Sequence, residues 1–168
     1  MRQTGAVCLM RSNICGALLL IFAVFVTTET LWAGPLDRFN GRWAGWGRIT
    51  LDSGKTENMK CVAVYKIKSG GNAASQSFRC SSTSYRFDAK ADYKVSGGKV
   101  SATWNEAIYN MAGNIAAKLT GTGLQGMIRA TTWAGRIKIS HLGRCRQTLV
   151  VTPRQLEIRS LTVDMKRC

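Results

Sequence analysis

One acidic residue stands apart from the others by its place in the sequence pattern. Glu106 follows Trp104 at the next alternate position, so it falls on the apolar face of a predicted strand. A carboxylate in that place either lies at a barrel mouth in a salt bridge, pairs with an arginine inside, or lines a ligand cavity. We therefore group Glu106 with Trp43, Tyr65 and Trp104 as a candidate cavity. Barrel core is the alternative for the three aromatic residues.

Residue types that commonly carry catalysis are otherwise scarce. The chain has one histidine, His141, in a segment with leucine and glycine that predicts an exposed turn. A serine protease-like triad would have to use that histidine, and so would most zinc sites. No Cys-x-x-Cys pair is present. We expect no bound metal, no cofactor and no enzymatic activity.

Four of the six cysteines lie beyond residue 33, and their spacing predicts two disulfides. An even number of cysteines in an exported chain is typical of bridged domains. A Gly-Gly turn at 70–71 places Cys61 directly opposite Cys80 on neighbouring strands, at a separation that a bridge can span. Cys145 and Cys168 then pair by elimination, across the last two strands. An intermolecular bond through Cys168 is the alternative.

Positive charge is the other functional signal. The chain carries 24 lysine and arginine residues against 9 aspartate and glutamate residues, a formal charge of +15. Such an excess favours polyanionic partners. The candidate anion-binding residues lie on the polar faces of predicted strands and in the C-terminal third: Lys60, Lys66, Lys68, Arg79, Arg136, Lys138, Arg144 and Arg146.

The partner that we expect for this surface is an anionic envelope component, namely lipopolysaccharide, phospholipid or acidic polysaccharide, or else a protein. Nucleic acid is not favoured, because the aromatic residues do not interleave with the basic ones as they do in single-strand binders. A generally basic surface with no specific partner is the alternative.

The N-terminal segment predicts a signal peptide. Arg2 and Arg11 precede the apolar run 14–26, and Ala33 offers a small residue for cleavage. A helix that crosses a membrane needs about 20 apolar residues, more than this run provides. We expect 1–33 to be removed and 34–168 to form one secreted or periplasmic domain without a transmembrane span. Retention of the segment as an anchor is the alternative.

The elements that must position these side chains are short strands. Apolar and polar residues alternate with period two and are interrupted by glycine-containing turns. A Gly-Gly turn at 97–98 places Val95 opposite Val100, so that the apolar faces coincide. We expect a loop over 107–113 and a bulge near Arg159. The pattern predicts an all-β antiparallel meander of eight to ten strands in a closed or nearly closed barrel, with a β-sandwich as the alternative.

The entry to the first strand carries a short motif. Phe39, Gly41 and Trp43 form F-x-G-x-W, which resembles the opening motif of lipocalins and the first strand of avidin-type barrels. Small periplasmic inhibitors of bacterial metalloproteases share this barrel and a G-x-W start, and the general layout is similar to that of secreted proteins of alphaproteobacteria. The resemblance implies a calycin-type barrel in which the tryptophan plugs one end.

Three functions follow from these features. The leading hypothesis is a secreted, non-enzymatic binding or interaction module of the bacterial envelope, whose basic exterior contacts anionic surfaces. A protease inhibitor of similar barrel fold is an alternative, and it would need a protruding segment at 34–40 or 107–113. A carrier of a small hydrophobic ligand is the third.

Overall fold

Ten antiparallel strands form a closed barrel in the computed structural model, which describes residues 33–168. Each strand pairs with the next along the chain, and the first pairs with the last. The strands are β1 (Gly41–Leu51), β2 (Thr56–Lys68), β3 (Ala73–Ser81), β4 (Arg86–Ser96), β5 (Lys99–Glu106), β6 (Met111–Thr120), β7 (Gly123–Ala130), β8 (Ala134–Leu142), β9 (Arg146–Arg154) and β10 (Ile158–Lys166). The predicted antiparallel meander barrel is confirmed, and the sandwich is excluded.

The predicted leader lies outside the described residues, apart from Ala33. Its removal, and the boundary at residue 34, therefore stay predictions. Two short 3₁₀ helices, Asp37–Phe39 and Ser69–Gly71, accompany the strands. No helix within residues 33–168 is long and apolar enough to cross a membrane.

Glycine pairs set the registers of two hairpins. Gly97 and Gly98 adopt φ angles of 54° and 74°, the left-handed region that a tight turn of this kind requires. Val95 then faces Val100, as predicted. The turn between β2 and β3 spans four residues, 69–72, rather than two. It is longer by one residue on each side of Gly70 and Gly71, so the register is unchanged and Cys61 still faces Cys80.

Two irregularities test the finer predictions. Thr50 of β1 pairs with Ser160, but Leu51 pairs with Ile158, so Arg159 is the extra residue of a β-bulge, as predicted. The predicted loop over 107–113 is wrong in length, since it spans only Ala107–Asn110 and β6 begins at Met111.

Both predicted disulfides are present. Cys61 and Cys80 join facing positions of β2 and β3, with their Cα atoms 4.1 Å apart. Cys145 and Cys168 join the turn after β8 to the C-terminus, with their Cα atoms 5.3 Å apart. Bridges of this kind persist in oxidising compartments, which agrees with a protein that works outside the cytoplasm.

The two ends of the barrel are built differently. The closed end carries the turns at 69–72, 97–98, 121–122 and 143–145, and here the segment before β1 folds into the barrel. Leu36 and Phe39 from that segment are each only 2% exposed. The open end carries the turns at 52–55, 82–85, 107–110, 131–133 and 155–157, and within the described residues no chain segment plugs it in this way.

Candidate ligand-binding site

The interior of the open end is hollow. A cavity of about 150 Å³ lies between the sheet walls, and its lining is almost entirely apolar. Its larger side chains are Phe78, Phe87, Trp104, Met111, Ile115, Ile128, Trp133, Ile137, Leu149 and Leu156. An apolar cavity of about this size stays dry and accepts a benzene-sized molecule.

Small residues on β4 and β6 leave this space. Ala89 and Ala91 point into the barrel from β4, and Gly113 lies beside Trp104 on β6. Strand residues alternate between the two faces, so every second residue contributes to the lining. Alanine and glycine at these interior positions therefore leave space that larger side chains occupy at the closed end.

Two tryptophans form part of the wall near the opening. The rings of Trp104 and Trp133 lie 5.8 Å apart and are tilted by 47°. The Trp104 indole nitrogen donates a hydrogen bond to the Arg129 carbonyl oxygen at 3.2 Å, and that of Trp133 donates to the Met111 sulfur at 3.4 Å. These contacts satisfy the polar ends of both indoles, so their apolar faces are free to line the cavity.

Glu106 lies at the mouth of this cavity and is 4% exposed. Its carboxylate accepts backbone N–H groups from Asp88 at 2.8 Å, Ile108 at 3.1 Å and Tyr109 at 2.6 Å. Within residues 33–168 it forms no salt bridge, so the predicted ion pair is absent. Hydrogen bonds to a carboxylate are stronger than neutral ones, and here they hold the turn 107–110 tightly closed.

A chain of buried polar groups forms the inner boundary of the cavity. The Tyr93 hydroxyl donates to Gln76 Oε1 at 2.7 Å, and Gln76 Nε2 donates to the Tyr65 hydroxyl at 2.9 Å. Gln147 Nε2 also donates to the Tyr65 hydroxyl, at 3.1 Å. Burial raises the pKa of Tyr65 and of Tyr93 well above the usual value, so both hydroxyls stay protonated. Gln76 and Tyr93 line the cavity, so its floor is polar.

Sequence reasoning missed this polar layer, although it carried a signal. Gln76 and Gln147 occupy alternate positions that otherwise hold apolar residues on β3 and β9. An amide on the apolar face of a strand must find partners, because an unpaired buried polar group is costly. Glu106 was singled out in the sequence because it is a polar residue on the apolar face of a strand, and the same reasoning applies to Gln76 and Gln147.

The four predicted cavity residues do not lie together. Trp104 and Glu106 line the cavity, whereas Trp43 and Tyr65 do not. Trp43 is completely buried at the closed end, where its indole nitrogen donates to the Phe39 carbonyl oxygen at 2.7 Å. For Trp43 and Tyr65, the structure therefore matches the alternative of barrel core.

An arginine near the C-terminus covers Trp43. The Arg167 guanidinium carbon lies 4.8 Å from the centre of the Trp43 ring. The same guanidinium donates to the carbonyl oxygen of Asn40 at 2.9 Å and to that of Arg38 at 3.3 Å. A cation over an indole face is favourable, so Arg167 fastens the N-terminal plug to the barrel. Arg167 was not among the residues that the sequence singled out as candidates.

The expectation for His141 was wrong. The residue belongs to β8, which extends to Leu142, and its side chain is 5% exposed inside the barrel. Its ring packs edge-on against Phe39, with ring centres 4.5 Å apart. Burial, together with the nearby charges of Arg38 and Arg167, lowers the pKa of His141 to about 4. The glycine that suggested a turn at His141 lies two residues beyond it.

The eight basic residues predicted to bind anions are all exposed. They do not form one patch, because they divide between β2 and β3, β8, and the chain around 144–146. β2 lies four or more strand positions from β8 around the closed barrel. Arg79 also lies 3.4 Å from the Asp88 carboxylate, which offsets its charge.

Comparisons with known proteins bear on the fold. No protein-family model and no curated protein matches the sequence. Among solved structures, the chain is similar to the S-type phycobiliprotein lyase CPES from Guillardia theta, with a TM-score of 0.52 and 10% sequence identity. The match covers 78% of this chain and 87% of that chain. At such low identity, the likeness shows the fold alone.

This comparison corrects one prediction. The absence of enzymatic activity was expected from the scarcity of catalytic residue types, and that expectation is wrong because the matching barrel is that of a lyase. The fold itself therefore gives no ground for setting catalysis aside. The resemblance that F-x-G-x-W carries is confirmed at the level of architecture. The chain has the lipocalin-like, calycin-type barrel fold.

Proposed function

We propose that the open end of the barrel binds a small apolar ligand. The observation that carries this proposal is the contrast between a hollow, apolar open end and a closed end filled by the chain's own side chains. Concave apolar sites with a few polar groups are the usual form of small-molecule sites. Gln76 and Tyr93 supply those polar groups at the floor.

The size of the cavity limits what the ligand can be. About 150 Å³ holds one aromatic ring or a short stretch of an acyl chain, and a longer ligand projects past the mouth. The best small ligands gain about −1.5 kcal/mol per heavy atom, which limits a six-atom ring to about −9 kcal/mol. A fragment of that size therefore binds with a Kd of about 0.2 μM at best.

A fluorescence titration tests this proposal. N-phenyl-1-naphthylamine, whose emission rises in apolar surroundings, is titrated into the protein and two alanine-to-leucine variants. Ala91→Leu places a larger side chain in the cavity, and Ala112→Leu makes the same change at an exposed position of β6. We expect at least tenfold weaker binding for Ala91→Leu and an unchanged affinity for Ala112→Leu. Equal affinities in both variants would contradict the proposal.

The setting that we propose is the bacterial envelope or the exterior of the cell. Two disulfides support export, and the apolar run 14–26 before Ala33 supports a cleaved leader. The cations on the outer strand faces support contact with an anionic envelope component. Intact-mass measurement of the protein recovered from its producing cells tests the first part. We expect a chain that begins at Gly34 and contains two bridges, whereas a chain that retains residues 1–33 would contradict it.

A further inference from the structure

The outer face of the barrel carries a groove that crosses strands β4 to β8. Its volume is about 1210 Å³, and five cationic side chains line it: Lys94, Lys99, Lys118, Arg136 and Lys138. We propose that this groove binds a linear acidic polysaccharide. The inference is independent of ligand binding in the cavity, because the groove lies on the opposite face of the sheet, and it rests on the proposed contact with an anionic envelope component.

The charge of the groove is uncompensated. No acidic side chain is among its lining residues, and none of the five cations forms a salt bridge within residues 33–168. The nearest acid along β4 is Asp92, which lies outside the groove. A concave surface lined by one sign of charge concentrates its field and attracts anions.

Two of the cations are arranged unfavourably for the free protein. Lys99 of β5 and Lys118 of β6 directly face each other across the strands. Like charges at such positions destabilise a sheet. A local arrangement that works against stability is expected at functional sites, and an anion bound between the two ammonium groups would offset the repulsion.

The shape of the groove suits an extended chain. Ser101, Ala116 and Met127 follow one another across the strands between Lys94 and Arg136. Four strand spacings of about 4.8 Å separate these two cations, a distance of about 19 Å. Small side chains at Ser101 and Ala116 keep the floor low.

Strands β6 and β7 approach each other closely at the floor of the groove. A Cβ atom on Gly126 of β7 would overlap the backbone of Ala116 and Ala117 on β6. Only glycine fits there, so the two strands come together beneath the groove.

The lining favours a polysaccharide over other polyanions. Ser101 and Gln125 offer hydrogen-bonding groups for sugar hydroxyls. No aromatic side chain lines the groove, so nucleic-acid bases would have no stacking surface. The groove lacks an apolar anchor for a lipid surface, because the large exposed apolar side chains lie outside it. Those side chains are Trp46, Ile108, Tyr109 and Leu142.

Calorimetric titration with a heparin oligosaccharide, at several salt concentrations, tests the proposal. The groove variant carries Lys99→Gln, Lys118→Gln and Lys138→Gln. The control variant removes the same charge away from the groove, through Lys55→Gln, Lys60→Gln and Lys66→Gln in the β1–β2 turn and on β2. We expect the groove variant to bind at least tenfold more weakly and the control variant less than threefold more weakly. Affinity should fall with salt in the wild-type protein, because binding releases counterions.

Three results would overturn the proposal. The first is an equal loss of heparin affinity in both variants, which would indicate general charge attraction. The second is groove-dependent binding of single-stranded oligothymidylate that is as tight as binding of heparin. The third is equally tight, groove-dependent binding of phosphatidylglycerol vesicles. Near-ultraviolet circular dichroism checks the fold, and we expect Lys99→Gln to raise the melting temperature slightly by removing the facing charge. Binding of N-phenyl-1-naphthylamine should be the same in both variants, so failure here is distinguishable from failure of the cavity proposal.

Discussion

The closed and open ends of this barrel use the same types of side chain to different effect. At the closed end, Phe39 enters from the N-terminal segment and packs with Trp43 and His141, leaving little space. At the open end, Trp104 and Trp133 are equally large, but the alanines of β4 leave a cavity between the walls. Ring size alone therefore does not decide whether a barrel is full, since the residues between the rings matter as much.

The polar groups of the two ends differ as well. At the open end, the Glu106 carboxylate is fully engaged by backbone N–H groups. At the closed end, His141 Nε2 and Gln147 Oε1 are buried without a hydrogen-bond partner in the part of the chain that the structure describes. The closed end therefore gains its stability from packing and tolerates unsatisfied polar atoms, each of which carries a cost.

Truncating one tryptophan at each end should give the largest difference. We expect Trp43→Ala to lower the free energy of unfolding by about 4 kcal/mol, because it opens a void in a filled region and removes the Arg167 contact. Trp133→Ala should lower the free energy of unfolding by about 2 kcal/mol or less, because Trp133 borders the cavity and therefore has fewer packing contacts to lose. Urea unfolding measures both. Similar losses at the two ends would indicate that they are packed alike.

Enlarging one buried alanine at each end should give an intermediate difference. Ala63 is 0% exposed and faces Trp43, so Ala63→Leu should cost about 1–3 kcal/mol through overpacking. Ala91 lines the cavity, and Ala91→Leu should be neutral or stabilising because the added atoms enter empty space. The same urea experiment compares them. A large loss of stability in Ala91→Leu would argue against a cavity at the open end.

Lowering the pH should reduce the free energy of unfolding through His141 at the closed end, and this loss is absent at neutral pH. The folded pKa of about 4 lies below the ordinary value of 6.5, so the unfolded chain binds a proton that the folded chain excludes. Stability from this residue is complete above pH 6.5 and is lost as the pH falls toward 4, by at most about 1.4 kcal/mol per pH unit. His141→Gln should flatten the dependence over that range.

A direct titration checks the same point. The chain has one histidine, so its imidazole proton signals can be followed by NMR without ambiguity. A measured pKa near 6.5 would contradict the buried, neutral His141.

The architecture was predictable because its signals are local. Paired glycines fix a turn, and period-two alternation then fixes which residues face each other, so Cys61 and Cys80 met as expected. His141 was misplaced because a following Leu-Gly suggested a turn, although Ile137 and Ile139 already set its side chain on the interior face. Strand alternation was the stronger signal.

The cavity was not predictable in the same way. Its volume is the difference between the volume that the barrel encloses and the volume of the side chains that fill it. Those side chains come from several strands. The pattern at Ala89 and Ala91 resembles that of Ala63 in a filled region, and only the facing strands distinguish them. Grouping Trp43 with Trp104 failed for this reason, because both lie on apolar faces but at opposite ends.

The central claim is that the open end is hollow and accepts an apolar ligand while the closed end is full. Methyl NMR during a titration with benzene tests this most directly. We predict saturable shifts at Met111, Ile115 and Ile128, which line the cavity, with no change at Leu36 or Met165 of the closed end. Shifts of equal size at both sets of methyls, or none at the cavity methyls, would contradict the account.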